Sequence, residues 1–107
     1  MASDSERLTK LQALLAAEPE DGFLLYGVAQ ELQKLGRTDE SVAHYDRAIA
    51  VDPKECYAFF HKAKALEQAG RLEPAREALR AGLVRARAVG DRKAASEIEG
   101  YLDSLED

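Results

Sequence analysis

A 34-residue offset runs through this chain and constrains its fold more than any other feature. Pro19 and Pro53 stand 34 residues apart, as do Gly36 and Gly70, Ala29 and Ala63, Leu32 and Leu66, and Arg37 and Arg71. The same offset sets Tyr26 on Phe60 and Phe23 on Tyr57. Proline and glycine mark where helices stop, so their recurrence measures out a structural unit. A fixed period of this size with two helices per unit is the signature of a helical solenoid. There each unit buries its apolar face against the next.

The stretches between these stops are helical in period and composition. Of 107 residues, 19 are Ala and 14 are Leu, and only nine are Val, Ile or Thr. That balance favours helix over strand. The punctuation predicts six helices, over residues 4–17, 22–35, 39–51, 56–69, 74–89 and 92–105. Ser3 and Glu6 form an S-x-x-E capping box for the first, and Leu8, Leu11 and Leu15 share one of its faces. Asp21, Thr38 and Asp91 are expected N-caps. Pro74 is expected in a first turn, where its missing N–H costs nothing. The last helix carries a stripe of Ala94, Ala95, Ile98, Tyr101, Leu102 and Leu105. Loops of two to four residues force neighbouring helices to pack antiparallel.

At these residues the chain resembles the tetratricopeptide repeat family, whose pattern runs W-x2-L-G-x2-Y, then A-x3-F, a small residue and a closing Pro. Over 22–55 the matches are Leu25, Val28, Ala29, Leu32, Ser41, Tyr45, Ala48 and Pro53. Over 56–89 they are Phe59, Lys62, Ala63, Leu66, Ala75, Leu79 and Gly82. Lys62 stands where an apolar residue usually packs, so it is expected to snorkel at an edge. Arg87 replaces the closing Pro, which leaves the fifth helix free to run on to Gly90. The resemblance implies an all-α fold: a right-handed superhelix, or α-solenoid, of antiparallel helix pairs with about six helices. It implies one domain, with an N-terminal helix at 4–17, repeats at 22–55 and 56–89, and a C-terminal capping helix in its own register at 91–105.

Several function classes find no support. Cys56 is the only cysteine, which excludes an internal disulfide framework and suits a reducing, cytoplasmic compartment. It opens a helix, whose N-terminus is expected to lower its pKa, but no Cys/His/Asp arrangement accompanies it. His44 and His61 lack metal-ligand spacing, and the seven Gly form no phosphate loop. No catalytic residue, cofactor or metal is therefore expected. No apolar run approaches ~18 residues, so no membrane span is expected. The acidic start Met-Ala-Ser-Asp-Ser-Glu does not resemble a signal peptide. A pI near 5.1 and net charge of −5 disfavour nucleic acid.

The charge is nonetheless segregated. Residues 70–93 hold seven basic groups against three acidic ones, between acidic flanks. Arg76, Arg80 and Arg87 share a helix face. They are expected either to form a solvated face paired with Glu77 and the acidic last helix, or to meet an acidic partner.

The family resemblance implies that the first helix of each unit lines a concave surface that takes extended peptides or partner helices. Carried over by offset, the groove residues are Phe23, Tyr26, Gln30, Gln33 and Lys34 from the first unit. Tyr57, Phe60, Lys64, Glu67 and Gln68 follow from the second. Four of the chain's seven aromatics fall on this surface. Three readings of them stand open: a partner groove, a self-association surface, or intramolecular core under the terminal helices. Lys34, Lys64 and Gln30 are the only groups comparable to the family's carboxylate clamp. Bulky aromatics stand beside them, so an apolar or mixed ligand is expected rather than an acidic peptide tail. The expected function is a non-catalytic protein-interaction module for a protein or peptide ligand. The alternatives are a homo-oligomer module and, remotely, a small enzyme.

Overall fold

The computed structural model of the protein describes residues 5–106. Six helices follow one another: α1 Glu6–Ala17, α2 Gly22–Lys34, α3 Thr38–Val51, α4 Tyr57–Gln68, α5 Leu72–Val89 and α6 Arg92–Leu105. No strand occurs among the described residues. Three ends obey the expected punctuation in detail. Gly36, Gly70 and Gly90 adopt φ of 75°, 78° and 77°, the left-handed region that a side chain disfavours, and each follows the last turn of a helix. Gly90 ends α5 after the helix has run through Arg87, where no proline stops it.

The N-termini depart from expectation at three places. Ser3 lies outside the described residues, and the capping hydroxyl of α1 is that of Ser5, which accepts the Leu8 N–H at 2.9 Å. Thr38 does not cap α3: it is the first helical residue, and Arg37 at the N-cap makes no side-chain cap bond. The Arg37 carbonyl accepts the Ser41 N–H while its guanidinium pairs with Glu40 at 2.8 Å. Helix α5 starts at Leu72 rather than Pro74, because the third helical residue still lies among the first-turn N–H groups that have no intrahelical partner. Asp21 and Asp91 cap α2 and α6 as expected, accepting the N–H of Leu24 and of Ala94 at 3.1 and 3.0 Å.

Each helix packs chiefly on its neighbours in sequence, and α2 also meets α4. The molecule is accordingly extended, 41 × 28 × 17 Å. Its core is passed along in three patches. Leu8 and Leu15 of α1 close on Leu24, Leu25, Val28 and Leu32 of α2. Ala29, Tyr45, Ala58 and Ala65 join α2, α3 and α4. Ala63, Leu66, Ala75 and Leu79 join α4 and α5, and Ile98 and Leu102 extend that patch onto α6.

Small residues set the helix spacing. Ala29 and Ala63, one period apart, are fully buried. A Cβ added to Gly82 would stand 2.6 Å from the Cβ of Phe59, so α5 can approach α4 this closely only without a side chain there. Polar groups inside are satisfied: the buried Ser41 hydroxyl donates to the Ala29 carbonyl at 2.8 Å. Lys62 snorkels as expected, its ammonium reaching Asp46 at 2.6 Å.

The arginine face of α5 is bound within the chain. Arg76 donates to the Leu105 carbonyl, Arg80 meets Glu73 and Glu106, and Arg87 meets Glu99. The acidic last helix and its end are thus partners, but Glu73, a turn earlier on α5, stands in place of the expected Glu77.

Candidate functional site

Helices α2 and α4 lie side by side because each opens one helical hairpin of the solenoid. Their shared face carries a chain of rings. Tyr26 meets Tyr45 edge-on at 5.7 Å between centroids and meets His61 at the same distance. His61 meets Phe60 at 5.5 Å, and Phe60 meets Tyr57 at 6.4 Å and Tyr101 of α6 at 5.1 Å. Edge-to-face pairing suits the ring quadrupoles and fixes the rings against one another.

The ten expected groove residues fall into three groups. Gln30, Gln33, Lys34 and Gln68 gather with His61 around a cavity of about 160 Å³. Here the Gln33 amide donates to the Gln68 carbonyl oxygen at 3.3 Å and accepts from the Tyr45 hydroxyl at 2.7 Å. Phe23 and Tyr26 line a second cavity of about 500 Å³ with Gly22, Ala48, Val51, Asp52 and Glu55. Phe23 is 83% exposed.

Tyr57, Phe60, Lys64 and Glu67 form the third group, and α6 covers part of it. Tyr57 and Phe60 pack on the cluster that includes Ile98 and Leu102. The Tyr101 hydroxyl donates to the Glu67 carboxylate. The Lys64 ammonium stands 5.9 Å from the centre of the Phe60 ring, a cation–π distance. Of the open readings of the aromatics, the intramolecular one therefore describes Phe60 and Tyr57 in part, and does not describe Phe23.

The site is electrically simple at neutral pH. Burial, then the Glu55 carboxylate, pushes Tyr26 up to about 12. Burial, then Glu97, pushes Tyr57 up to about 12. Burial, then Lys64, lowers the pKa of His61, so its imidazole is neutral. The two tyrosines and His61 thus offer uncharged hydroxyl and N–H donors. Lys34 and Lys64 supply cations towards one end of the face, and Asp52 and Glu55 supply carboxylates at the other. Lys34 already meets the buried Glu31 at 3.1 Å.

Two groups in this face were not among the expected ones. His61 is the central ring of the chain, and its 34-residue counterpart is Gly27, beside Leu11 of α1. A histidine next to Phe60 and one period from a glycine was the available signal. Tyr101 was visible in the apolar stripe of the last helix, but no period ties that helix to α4.

Cys56 is buried, and burial, followed by the nearby Asp91 and Glu55 carboxylates, raises its thiol pKa. The thiol is thus raised rather than lowered: desolvation and the carboxylates of Asp91, Glu55 and Asp52 exceed the opposing charge of Arg85. Among the described residues no group of three or more His, Cys, Asp and Glu is placed to hold a metal ion. No helix among them is long and apolar enough to cross a membrane.

Comparison with known proteins agrees with this architecture. Residues 24–55 match the tetratricopeptide repeat model. A TPR repeat-containing protein of Pseudomonas aeruginosa is 29% identical over 96 residues, which span 90% of this chain and 91% of that protein. The TPR2B domain of yeast Sti1, solved as its pHsp70 complex, matches with a TM-score of 0.80 at 26% identity, over 94% of this chain and 82% of that one. The type III secretion translocator chaperone SycD of Yersinia enterocolitica also matches with a TM-score of 0.80. It is 22% identical and covers 92% of this chain and 69% of its own, a likeness of fold. The resemblance to tetratricopeptide repeats and the helical-repeat superhelix it implied are both borne out.

Proposed function

We propose that this chain, with its tetratricopeptide-repeat fold, is a non-catalytic interaction module that holds a peptide or partner helix against the α2–α4 face. Its units are residues 22–55 and 56–89, with α1 and α6 closing the ends. The observation that carries the reading is the ring chain from Tyr26 through His61 to Phe60, continuous with the amide group of Gln30, Gln33 and Gln68. Rigid aromatics supply contact area at little entropic cost, and amides beside them supply adaptable hydrogen bonds. The pHsp70 complex of the Sti1 domain supports the same use of the fold. The fold alone does not name the ligand.

The test is a selection of displayed 12-residue peptides on the immobilised protein, followed by affinity measurement on variants. Gln30→Ala with Gln68→Ala is expected to weaken the selected peptide about tenfold. Val84→Ser, on the outer face of α5, is expected to leave it unchanged. Equal affinity for all three proteins contradicts the reading.

Self-association through this face or an open end is the second reading. Leu14 of the terminal helix α1, 56% exposed, supports it. Sedimentation over a concentration series separates the two, and a strict monomer removes the second.

A further inference from the structure

The second cavity has a composition unlike the rest of the face. It lies where α2 begins, α3 ends and α4 begins. Its walls are the rings of Phe23 and Tyr26 and the side chain of Val51, 43% exposed. Gly22 leaves the wall open: a Cβ there would meet only Val51, at 3.6 Å. Its rim carries Asp52 and Glu55. Each uses one carboxylate oxygen locally, Asp52 on the Lys54 N–H at 3.1 Å and Glu55 on the Tyr57 N–H at 3.1 Å. Neither has a cation at ion-pair distance among the described residues. Two unpaired carboxylates thus stand over an open apolar pocket with an aromatic ring almost fully in water. A pocket of this size accommodates one or two side chains.

We propose that this cavity is the docking point for an arginine adjacent to a large apolar residue in an extended partner segment. The apolar side chain fills the space between Phe23 and Val51. The guanidinium reaches Asp52 and Glu55, and its flat face lies on the aromatic wall. The charge of the occupant follows from complementarity: an acidic residue placed here would face two carboxylates that no cation meets at ion-pair distance among the described residues. The inference rests on the groove reading above, because Phe23 and Tyr26 belong to both. It adds polarity, setting the basic part of the ligand at the α2 and α4 N-termini and the amide contacts at the other end.

The experiment is a titration of the 15N-labelled full chain with three blocked dipeptides, Ac-Phe-Arg-NH2, Ac-Phe-Glu-NH2 and Ac-Ser-Arg-NH2, followed by amide shifts. Saturable shifts at Phe23 and at 51–57 are expected with Ac-Phe-Arg-NH2, with about fivefold weaker binding of the other two. Asp52→Asn with Glu55→Gln keeps both local hydrogen bonds, because each amide retains an acceptor oxygen. It is expected to erase the preference for Arg over Glu while the spectrum stays folded. Equal binding of the Arg and Glu compounds overturns the inference, as does the absence of any shift in the cavity. Shifts confined to Gln33, Lys34 and Gln68 overturn it too, yet leave the broader groove reading standing. Shifts at Phe23 and Val51 that appear on concentrating the protein alone make the occupant a second copy, and also overturn it.

Discussion

The ring of Tyr101 lies 5.1 Å from that of Phe60, tilted by 55°, so the last helix lays an aromatic cover over part of the α2–α4 face. The cover is fastened by the Tyr101 hydroxyl on Glu67 and, below it, by Ile98 and Leu102 in the core. Tyr101→Ala removes a half-buried ring and is expected to cost about 1–3 kcal/mol in urea unfolding. Tyr101→Phe keeps the ring and loses only the hydrogen bond, for about 1 kcal/mol or less. Equal losses for the two variants would mean that the ring contact contributes nothing.

Two glycines inside helices are expected to respond in opposite directions. Gly100→Ala places a methyl where nothing lies within 4 Å, in a helix interior, and is expected to stabilise by about 0.5–1 kcal/mol. Gly82→Ala gains the same helix propensity but drives its Cβ into Phe59, with Ile98 at 3.3 Å on the other side. Overpacking of this kind costs about 1–3 kcal/mol, so the net change is a loss. Thermal melting of both variants checks the sign. A higher melting temperature for Gly82→Ala would show that α4 and α5 can move apart freely.

The reach of the sequence differs between elements for physical reasons. Helix stops were legible because Gly36, Gly70 and Gly90 do one thing only, adopt a left-handed φ. Helix starts were less so: Ser3, Ser5 and Thr38 all have capping side chains, and only packing decides which residue holds the cap conformation. The proposed groove residues of α2 and α4 were carried over from the family resemblance by the 34-residue offset. What the period could not give was their division into three groups, because that depends on α6, which follows its own register and brings Tyr101 over Phe60. Nor could it show the side of the Phe23 cavity contributed by α3, since Val51 and Asp52 read as an ordinary helix end.

Acid should loosen the α1 end first. Glu31 is buried on α2 and accepts from the Ser5 hydroxyl, Arg7 and Lys34, each at 3.1 Å. Burial pushes its carboxyl up. The hydrogen bonds from Lys34 and Ser5 and the charges of Lys34 and Arg7 outweigh that, so the net pKa falls below the ordinary 4.5. A depressed folded-state pKa gives stability that is present above the unfolded value and lost as pH falls through the folded one. Unfolding free energy is therefore expected to decline below pH 4.5, steeply in the native chain and less so in Glu31→Gln. That variant should also be weaker by about 1–3 kcal/mol at neutral pH. Parallel pH profiles for the two proteins would assign the acid sensitivity elsewhere.

Whether a partner sits on the face shared by α2 and α4 is decided by mapping the contact of a bound peptide. A peptide selected on the native chain is titrated into the 15N-labelled protein, and amide shifts are followed to saturation. Shifts are expected at Tyr26, Gln30, Gln33, His61, Lys64 and Gln68, with little change on the outer faces of α3 and α5, as a partner seated on the α2–α4 face requires. Saturable shifts confined to those outer faces, with the α2–α4 face silent, would contradict it.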